Sequence, residues 1–258
     1  MSKKIFSVVI PFYNNSEHLK NLNDSLVENR AYIFDVVIVD DNSSPEESFL
    51  LTSFCFDLAV VVVSIDDNSG PSRARNLGFH KSSAPYVAFL DSDDVWVKGR
   101  LRLIHSFIDK FDRYNSDILI NRFSYGERFD ASFHHDFGLV KPINLLSLLF
   151  SNKLQPSCTI VKRDGFLLFD ESFRYSEDYE FLLRSYRSKK SISIFDQPLT
   201  KLGRVQGSSG GLSSNKLLMR WGEIKAYASF CRGVFLPLLP FLVFFSVFKH
   251  LVRVFRGG

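Results

Sequence analysis

The sequence predicts an α/β fold in which an open, doubly wound and mostly parallel sheet carries helices on both faces. Two observations support this prediction: four short apolar runs lie before residue 91, and helical patterns lie between them. Strands that alternate with helices form right-handed βαβ units. The chain has 258 residues, of which 45% are hydrophobic and 23% charged, so it can form one large domain with or without an appendage.

The four apolar runs predict strands that are buried on both faces. They are Phe6–Ile10, Val36–Val39, Ala59–Ser64 and Tyr86–Leu90, and none alternates apolar with polar residues. Continuous apolar runs of this length, bounded by polar turns, are typical of a parallel sheet that is covered on both sides. Ligands bind at the carboxyl ends of the strands in such sheets, so the residues after each run are the first candidates for a site.

Helices are predicted between these strands. Ser16 is a candidate N-cap for a helix whose apolar face comprises Leu19, Leu22 and Leu26. Pro71 suits the first turn of a second helix. A third helix is indicated by an apolar stripe made of Leu101, Ile104, Ile108 and Phe111.

The second half of the chain is less regular. Strands are predicted at Asp117–Asn121 and Cys158–Lys162, and helices at Ile143–Phe150 and Glu177–Arg187. Gly and Ser cluster at Gly203–Ser214, which predicts a mobile loop.

Composition and spacing exclude several classes of function. The net charge of +4 is dispersed, and no basic run with interleaved aromatics precedes residue 249, so nucleic acid is not an expected partner. The three cysteines are too far apart for a zinc motif or a disulfide framework, which favours a reducing compartment. His134-His135 lack the spacing of a zinc site. The apolar stretch at Ile5–Ile10 is too short for a signal peptide, so we expect a cytoplasmic domain.

Three carboxylates follow the fourth apolar run, in Asp91-Ser92-Asp93-Asp94. Carboxylates grouped at the end of a buried strand repel one another and lose hydration, so something must compensate. In an extended chain Asp91 and Asp93 point to the same side, roughly 6–7 Å apart. This arrangement suits a hard divalent cation that shares its shell with phosphates. The alternative is a solvated turn with helix N-caps, and Asp94 is expected to point elsewhere.

A second acidic strand end and a basic helix are predicted nearby. Asp40-Asp41 could accept hydrogen bonds from a nucleobase or a ribose, or could form an Asx turn. Arg73 or Arg75 could pair a diphosphate or orient an aspartate, and a surface helix with solvated arginines is the alternative. Two acidic strand ends of one parallel sheet project to the same edge, which favours a binding site there.

Glu177-Asp178 opens the helix predicted at Glu177–Arg187. Acidic residues in a first turn interact favourably with the helix dipole, which is the structural explanation. The functional explanation is a general base, because a hydroxyl is a poor nucleophile until a carboxylate within hydrogen-bond reach takes its proton.

Together these segments resemble glycosyltransferase family 2, a group of inverting enzymes with the GT-A fold. The resemblance extends from residue 5 to about residue 210 and rests on five motifs in the family's order and at similar spacing. The matching stretches are Ser7–Asn14, Val37–Ser43, Gly70–Gly78, Tyr86–Asp94 and Tyr175–Glu180.

The resemblance implies roles in donor binding for four of these residues. Pro11 and Tyr13 would line the nucleotide pocket, and Asp41 would contact the base. Arg75 would lie near the ribose and the diphosphate. The donor would be a nucleotide sugar, with a UDP-sugar as the first candidate.

The resemblance also implies the metal and the catalytic base. Asp91 and Asp93 would form an Asp-x-Asp motif that binds the donor together with Mg²⁺ or Mn²⁺, and Asp93 would be the surest metal contact. Asp178 would take the proton of the attacking hydroxyl, so that the configuration of the sugar inverts.

The domain organisation and the acceptor follow from the same resemblance. A GT-A domain is expected at residues 1–213, with a nucleotide-binding half at 1–95 and an acceptor-binding half at 96–213. The acceptor would be a glycan or a polyprenyl-linked saccharide in bacterial surface polysaccharide synthesis. Processive members carry a Gln-x-x-Arg-Trp motif, whereas here Leu217 stands in place of Gln before Arg220-Trp221. We therefore expect transfer of a single sugar.

Residues 214–258 are expected to form a helical tail. Val234–Phe248 contains no charge but is shorter than the ~20 residues that a spanning helix needs. Lys249, Arg253 and Arg256 follow on one helical face. An apolar segment followed by a basic turn predicts peripheral contact with the anionic inner face of the cell membrane. Packing on the domain or in a homodimer is the alternative.

Two other classes of function stay open from the sequence. A nucleotidyltransferase would use acidic strand ends and a metal, but Pro11–Ser16 contains neither Gly nor Lys for a phosphate loop. A non-catalytic module that binds a nucleotide sugar and a membrane is the second alternative. Specificity for the sugar, the acceptor and the linkage is expected in Ser124–Gln155 and Gly203–Ser214.

Overall fold

Nine strands of the described residues form one sheet. The computed structural model describes residues 4–110, 116–125, 140–150, 152, 154–203 and 215–255. The strands are β1 (Phe6–Phe12), β2 (Ile33–Asp40), β3 (Val60–Ser64), β4 (Tyr86–Phe89), β5 (Val95–Trp96), β6 (Ile118–Tyr125), β7 (Val140–Pro142), β8 (Thr159–Lys162) and β9 (Ile192–Leu202).

The order of the strands is β3-β2-β1-β4-β8-β6-β9-β5, and β7 pairs with β9. Strands β3, β2, β1 and β4 are parallel, and so are β6 and β9. Strand β8 runs antiparallel to both β4 and β6, and the pairings of β5 and β7 with β9 are short and antiparallel. Because β1, β2 and β4 run in one direction, their carboxyl ends meet at one edge, as the sequence predicted.

Helices cover both faces of this sheet, which confirms the predicted fold class. They are α1 (Leu19–Asn29), α2 (Pro45–Ser53), α3 (Pro71–Lys81), α4 (Arg100–Lys110), α5 (Leu145–Phe150), α6 (Glu177–Arg187), α7 (Lys216–Phe230) and α8 (Leu239–Phe255). Alternate residues of β1 enter opposite cores, with Val8 on the side of α1 and α4, and Val9 on the side of α5, α6 and α7. This alternation is the two-residue period of a strand.

Two predictions about the strands and helices are wrong. Strand β3 is not buried on both faces, because it lies at the edge of the sheet, where Val61 is 55% exposed. Ser16 is not an N-cap either, since a 3-10 turn at Ser16–His18 precedes α1. The amide and hydroxyl of Ser16 instead donate to the carboxylate of Glu47, at 2.9 and 3.1 Å. That carboxylate lies in the first turn of α2, a helix that the sequence analysis did not predict.

Several predictions concern residues outside the described ranges. His134-His135, Phe111 and residues 204–214 of the predicted loop are among them.

The C-terminal helices differ in how far they are buried. Ala226 and Phe230 of α7 pack in the same core as α6, whereas the exposed fractions of Phe241, Phe244 and Phe248 of α8 are 55%, 68% and 52%. Among the described helices, none combines the length and the apolarity needed to cross a bilayer. The division into a domain and a tail stays a prediction.

We predict that Gly78→Ala lowers the free energy of unfolding by about 1 kcal/mol or more, although Ala is the better helix former. A methyl group at Gly78 would lie 2.3 Å from Cγ1 of Val9, because α3 packs closely on β1 at this point. Urea unfolding measures the change, with the exposed His80→Ala on the same helix as control. In Val9→Ala/Gly78→Ala the two losses should be less than additive. Full additivity would contradict the close contact.

Candidate active site

Arg75 joins the end of β4 to the beginning of α6. Its Nη2 donates to Oδ1 of Asp91 at 2.7 Å, and its Nη1 donates to Oε1 of Glu177 at 3.1 Å. The side chain of Arg75 is only 3% exposed, and those of Asp91 and Glu177 are 29% and 13% exposed. Burial alone would lower the pKa of the guanidinium, but the charges of Asp91 and Glu177 raise it above its ordinary value. Arg75 is therefore a fixed cation at the carboxyl edge of the sheet.

The position of Arg75 follows from how α3 begins and what it contacts. Gly70 has a φ of 87°, a conformation that favours glycine, and Pro71 fits the first turn of the helix that follows. One turn further, Asn76 exchanges two hydrogen bonds of 2.9 Å with the backbone of Phe169. The ring of Phe169 lies 5.5 Å from the Arg75 guanidinium carbon. Among the two arginines considered from the sequence, Arg75 orients an aspartate, and the exposed Arg73 pairs with Asp67 at 3.2 Å.

The acidic cluster after β4 is a turn and not an extended segment. The amide of Asp94 donates to the carbonyl of Asp91 at 3.0 Å, so the extended-chain geometry expected for Asp91 and Asp93 is wrong. The carboxylate of Asp94 is buried and accepts hydrogen bonds from the Ser157 hydroxyl and, at 2.9 Å, from the Gly203 amide. The side chain of Asp93, in the same turn, is half-buried.

Burial controls the charge of Asp94. Loss of hydration, together with the charges of Asp91 and Asp93, raises the pKa of Asp94 to about 8. Ser157 also accepts a hydrogen bond of 2.9 Å from the amide of Asp91, so one hydroxyl holds both ends of the turn. Among the described residues, no group of three or more His, Cys, Asp or Glu side chains is placed to hold a metal ion. Mg²⁺ commonly binds one or two carboxylates plus substrate phosphates, and this turn can supply such ligands.

Asp41 at the end of β2 is buried and fixes the loop that leads into α3. Its carboxylate accepts hydrogen bonds from the amides of Ser69 and Gly70, at 2.9 and 2.8 Å. The neighbouring Asp40 accepts from the amide of Ser43, three residues further along the chain, at 3.0 Å. A carboxylate has about four acceptor positions, so the two hydrogen bonds of Asp41 leave it able to accept one more.

The ends of β1, β2 and β4 are tied together by side chains that the sequence analysis missed. The amide of Asn14 donates to the Ser43 hydroxyl at 3.0 Å. The side chain of Asn15 donates to the Ser92 hydroxyl at 2.8 Å. The signal for these contacts was the polar Asn-Asn pair directly after the first apolar run. Beside them, Tyr13 is 51% exposed, and Pro11 is half-buried within β1.

Asp178 is half-buried at the beginning of α6, next to Glu177 and hence to Arg75. Its Oδ2 accepts a hydrogen bond of 2.8 Å from Asn152, another residue that the sequence analysis did not consider. Burial and the charge of Glu177 raise the pKa of Asp178 to about 7. A carboxylate with this pKa can accept a proton near neutral pH.

Comparison with known proteins identifies the family of this chain. The family model described as glycosyl transferase family 2 matches residues 7–174. The amylovoran biosynthesis glycosyltransferase AmsB of Erwinia amylovora is 30% identical over 229 residues, which cover 84% of this chain and 76% of AmsB.

Two solved structures share the fold. Residues 1–349 of Staphylococcus aureus TarS in complex with UDP-GlcNAc superpose with a TM-score of 0.67 and 22% identity, over 89% of this chain and 67% of TarS 1–349. The mannosyltransferase PcManGT of Pyrobaculum calidifontis, in complex with GDP-Man and Mn²⁺, gives a TM-score of 0.63 and 14% identity, over 99% of this chain and 76% of that chain. The family match supports a glycosyltransferase over the two alternatives considered from the sequence, a nucleotidyltransferase and a non-catalytic module. The chain belongs to glycosyltransferase family 2 and is a glycosyltransferase with the GT-A fold.

Proposed function

We propose that this glycosyltransferase moves a single sugar from a nucleotide-sugar donor, a UDP-sugar first among the candidates, to a glycan or lipid-linked acceptor with inversion of configuration. One observation carries the proposal: the buried Arg75 contacts Asp91 at the end of β4 and Glu177 beside Asp178. A donor bound at the edge of the sheet and a base at the start of α6 would therefore face one shared centre.

The donor end of the proposed site is formed by the first two strands. The half-exposed ring of Tyr13 offers a surface for the nucleobase, and Pro11 would line the same pocket. Asp41 keeps an acceptor position for a base N–H, while Arg75 adds positive charge for the diphosphate. The UDP-GlcNAc bound by TarS and the GDP-Man bound by PcManGT support a nucleotide-sugar donor here.

Asp93, with Asp91 beside it, would hold Mg²⁺ or Mn²⁺. The half-buried carboxylate of Asp93 fits such an ion, and the Mn²⁺ bound by PcManGT supports this assignment. The bound ion would offset the negative charge of the leaving nucleoside diphosphate. Asp94 would keep the turn in place, because its carboxylate is already bonded to Ser157 and Gly203.

Asp178 would act as the general base. Its carboxylate takes the proton of the acceptor hydroxyl as that oxygen attacks the anomeric carbon from the face opposite to the diphosphate. Asn152 holds one carboxylate oxygen and the amide of Tyr179 the other. Because the acceptor oxygen displaces the diphosphate in one step from the opposite face, the configuration at the anomeric carbon inverts. This single displacement needs one base and no enzyme nucleophile.

The acceptor and the location are proposed from AmsB and from α8. AmsB, an amylovoran biosynthesis glycosyltransferase, supports a role in polysaccharide synthesis. Phe241, Phe244 and Phe248 are exposed and spaced three and four residues apart, so they share one face of α8. Lys249 follows this face in the sequence. An exposed aromatic face followed by basic residues suits peripheral contact with an anionic membrane.

The donor is tested with a panel of UDP-glucose, UDP-galactose, UDP-GlcNAc and GDP-mannose, each with Mg²⁺ or Mn²⁺, scored by nucleotide release. We expect release from at least one donor, and at least a 100-fold loss on addition of EDTA or in Asp93→Ala. Asp109→Ala, an exposed aspartate of α4, is the matched control and should keep the wild-type rate. Undiminished turnover in EDTA would overturn the metal assignment.

The base is tested by its pH dependence. Because burial and Glu177 raise the pKa of Asp178 to about 7, the basic form is lost below that pH, and kcat should rise with pH through about 7 and then level. Glu177→Gln removes one cause of the raised pKa and should move the inflection to lower pH. Asp178→Asn should lower kcat at least 100-fold with little change in the donor KM. A pH-independent kcat in the wild type would contradict the assignment of Asp178.

Membrane contact is tested with vesicles of phosphatidylglycerol and phosphatidylethanolamine. Phe244→Ser/Phe248→Ser should bind them at least tenfold more weakly, because a buried Phe contributes about 1.5 kcal/mol or more. Phe49→Ser on α2, where Phe49 is 67% exposed, is the matched control. Equal partitioning of the wild type and the double variant would show that α8 does not insert.

A further inference from the structure

Helix α7 lies directly against the backbone that leads into α6. The hydroxyl of Ser176 donates to the carbonyl of Met219 at 3.1 Å. Six residues further along α7, Nζ of Lys225 donates to the carbonyl of Ser172 at 2.8 Å. Residues spaced by three along a helix share one face, so the residue midway between the two, Gly222, faces the same segment.

Gly222 brings the two backbones into contact. A methyl group at this position would lie 2.4 Å from the backbone oxygen of Tyr175 and 3.1 Å from the hydroxyl oxygen of Ser176. Both distances are shorter than an ordinary van der Waals contact, and the nearer atom belongs to the backbone, which cannot rotate away. Glycine is disfavoured in the middle of a helix, so its presence here is explained by the close approach of the 175–176 backbone.

The backbone that Gly222 contacts is also in an unusual conformation. Ser176 has a φ of 56° and a ψ of 30°, in the left-handed region that L-residues other than Asn and Asp rarely adopt. It is buried, and it directly precedes Glu177 and Asp178. Such a conformation persists when its surroundings fix it, and here those surroundings are Met219 and Gly222 of α7.

We propose that α7 sets the position of the catalytic base, with Gly222 and Ser176 as the positioning residues. The proposal rests on Asp178 being the base, as proposed above. The contact acts on the backbone at 175–176, two residues before Asp178. The atoms nearest to a methyl group at Gly222 belong to Tyr175 and Ser176, and the Ser176 hydroxyl bonds to Met219, so the contact acts first on the start of α6. Asp178 lies two residues from this contact, whereas the donor side is reached only through Glu177 and Arg75, so a fault in α7 should lower kcat more than it weakens donor binding.

The test compares Gly222→Ala and Ser176→Gly in the full chain. The assay is nucleotide release to water from the donor that the panel identifies, with Mn²⁺ present. Gly222→Ala must displace the Tyr175 backbone and should lower kcat tenfold or more, with the donor KM within twofold of wild type. Ser176→Gly keeps the left-handed conformation accessible but removes the side chain with its hydrogen bond to Met219, so it should lower kcat threefold or more. Ala228→Ser, on the exposed side of α7, is the matched control and should leave both constants unchanged.

The outcomes separate this inference from the proposed function. If Asp178→Asn keeps the wild-type kcat, the assignment of the base fails, and the positioning role fails with it. If Asp178→Asn is inactive while Gly222→Ala and Ser176→Gly keep the wild-type kcat, the positioning role alone is overturned. A rise in donor KM that matches the loss in kcat would also overturn it, since that result indicates general distortion of the fold. Should Gly222→Ala unfold, Ser176→Gly decides the question.

Discussion

The side chain of Arg75 is only 3% exposed, and a buried guanidinium needs anionic partners. The other groups of the site lie around this ion pair. Its partners come from sequence-distant segments, Asp91 after β4 and Glu177 at the start of α6. Removing one partner of a buried pair typically costs about 3–5 kcal/mol, because the remaining charge is left uncompensated. The strand end and the helix start are thus held at a fixed separation.

The rest of the carboxyl edge limits how far that centre can move. Asn15 joins β1 to the turn after β4, and Asp41 joins β2 to the loop before α3. The buried carboxylate of Asp94 is held by Ser157 and Gly203. These hydrogen bonds hold the loops together, as backbone hydrogen bonds hold neighbouring strands together in a sheet. A preorganised edge of this kind suits the binding of a charged donor.

Elements that a local residue pattern determines were predicted from the sequence, whereas elements and hydrogen bonds that depend on distant residues were not. The parallel strands were readable because apolar runs such as Phe6–Ile10 need no partner to be recognised. Strand β9 was missed because its polar stretch Asp196-Gln197-Pro198 interrupts the apolar pattern, and pairing with β6 supplies the order instead. The residues proposed at strand ends lie at the expected edge. Their hydrogen bonds were not predictable, because Asn15 and Ser92 are separated by 77 positions. The turn at 91–94 likewise depends on Ser157, which no local rule connects to it.

Diffraction from crystals grown with UDP and Mn²⁺ would show whether donor, metal and base meet around Arg75, as we propose. We expect an anomalous Mn²⁺ peak beside the carboxylate of Asp93, with the diphosphate at the ends of β1 and β4. Arg75 should still bridge Asp91 and Glu177. A nucleotide or Mn²⁺ bound away from this edge, or an Arg75 released from both carboxylates, would contradict a shared centre at Arg75.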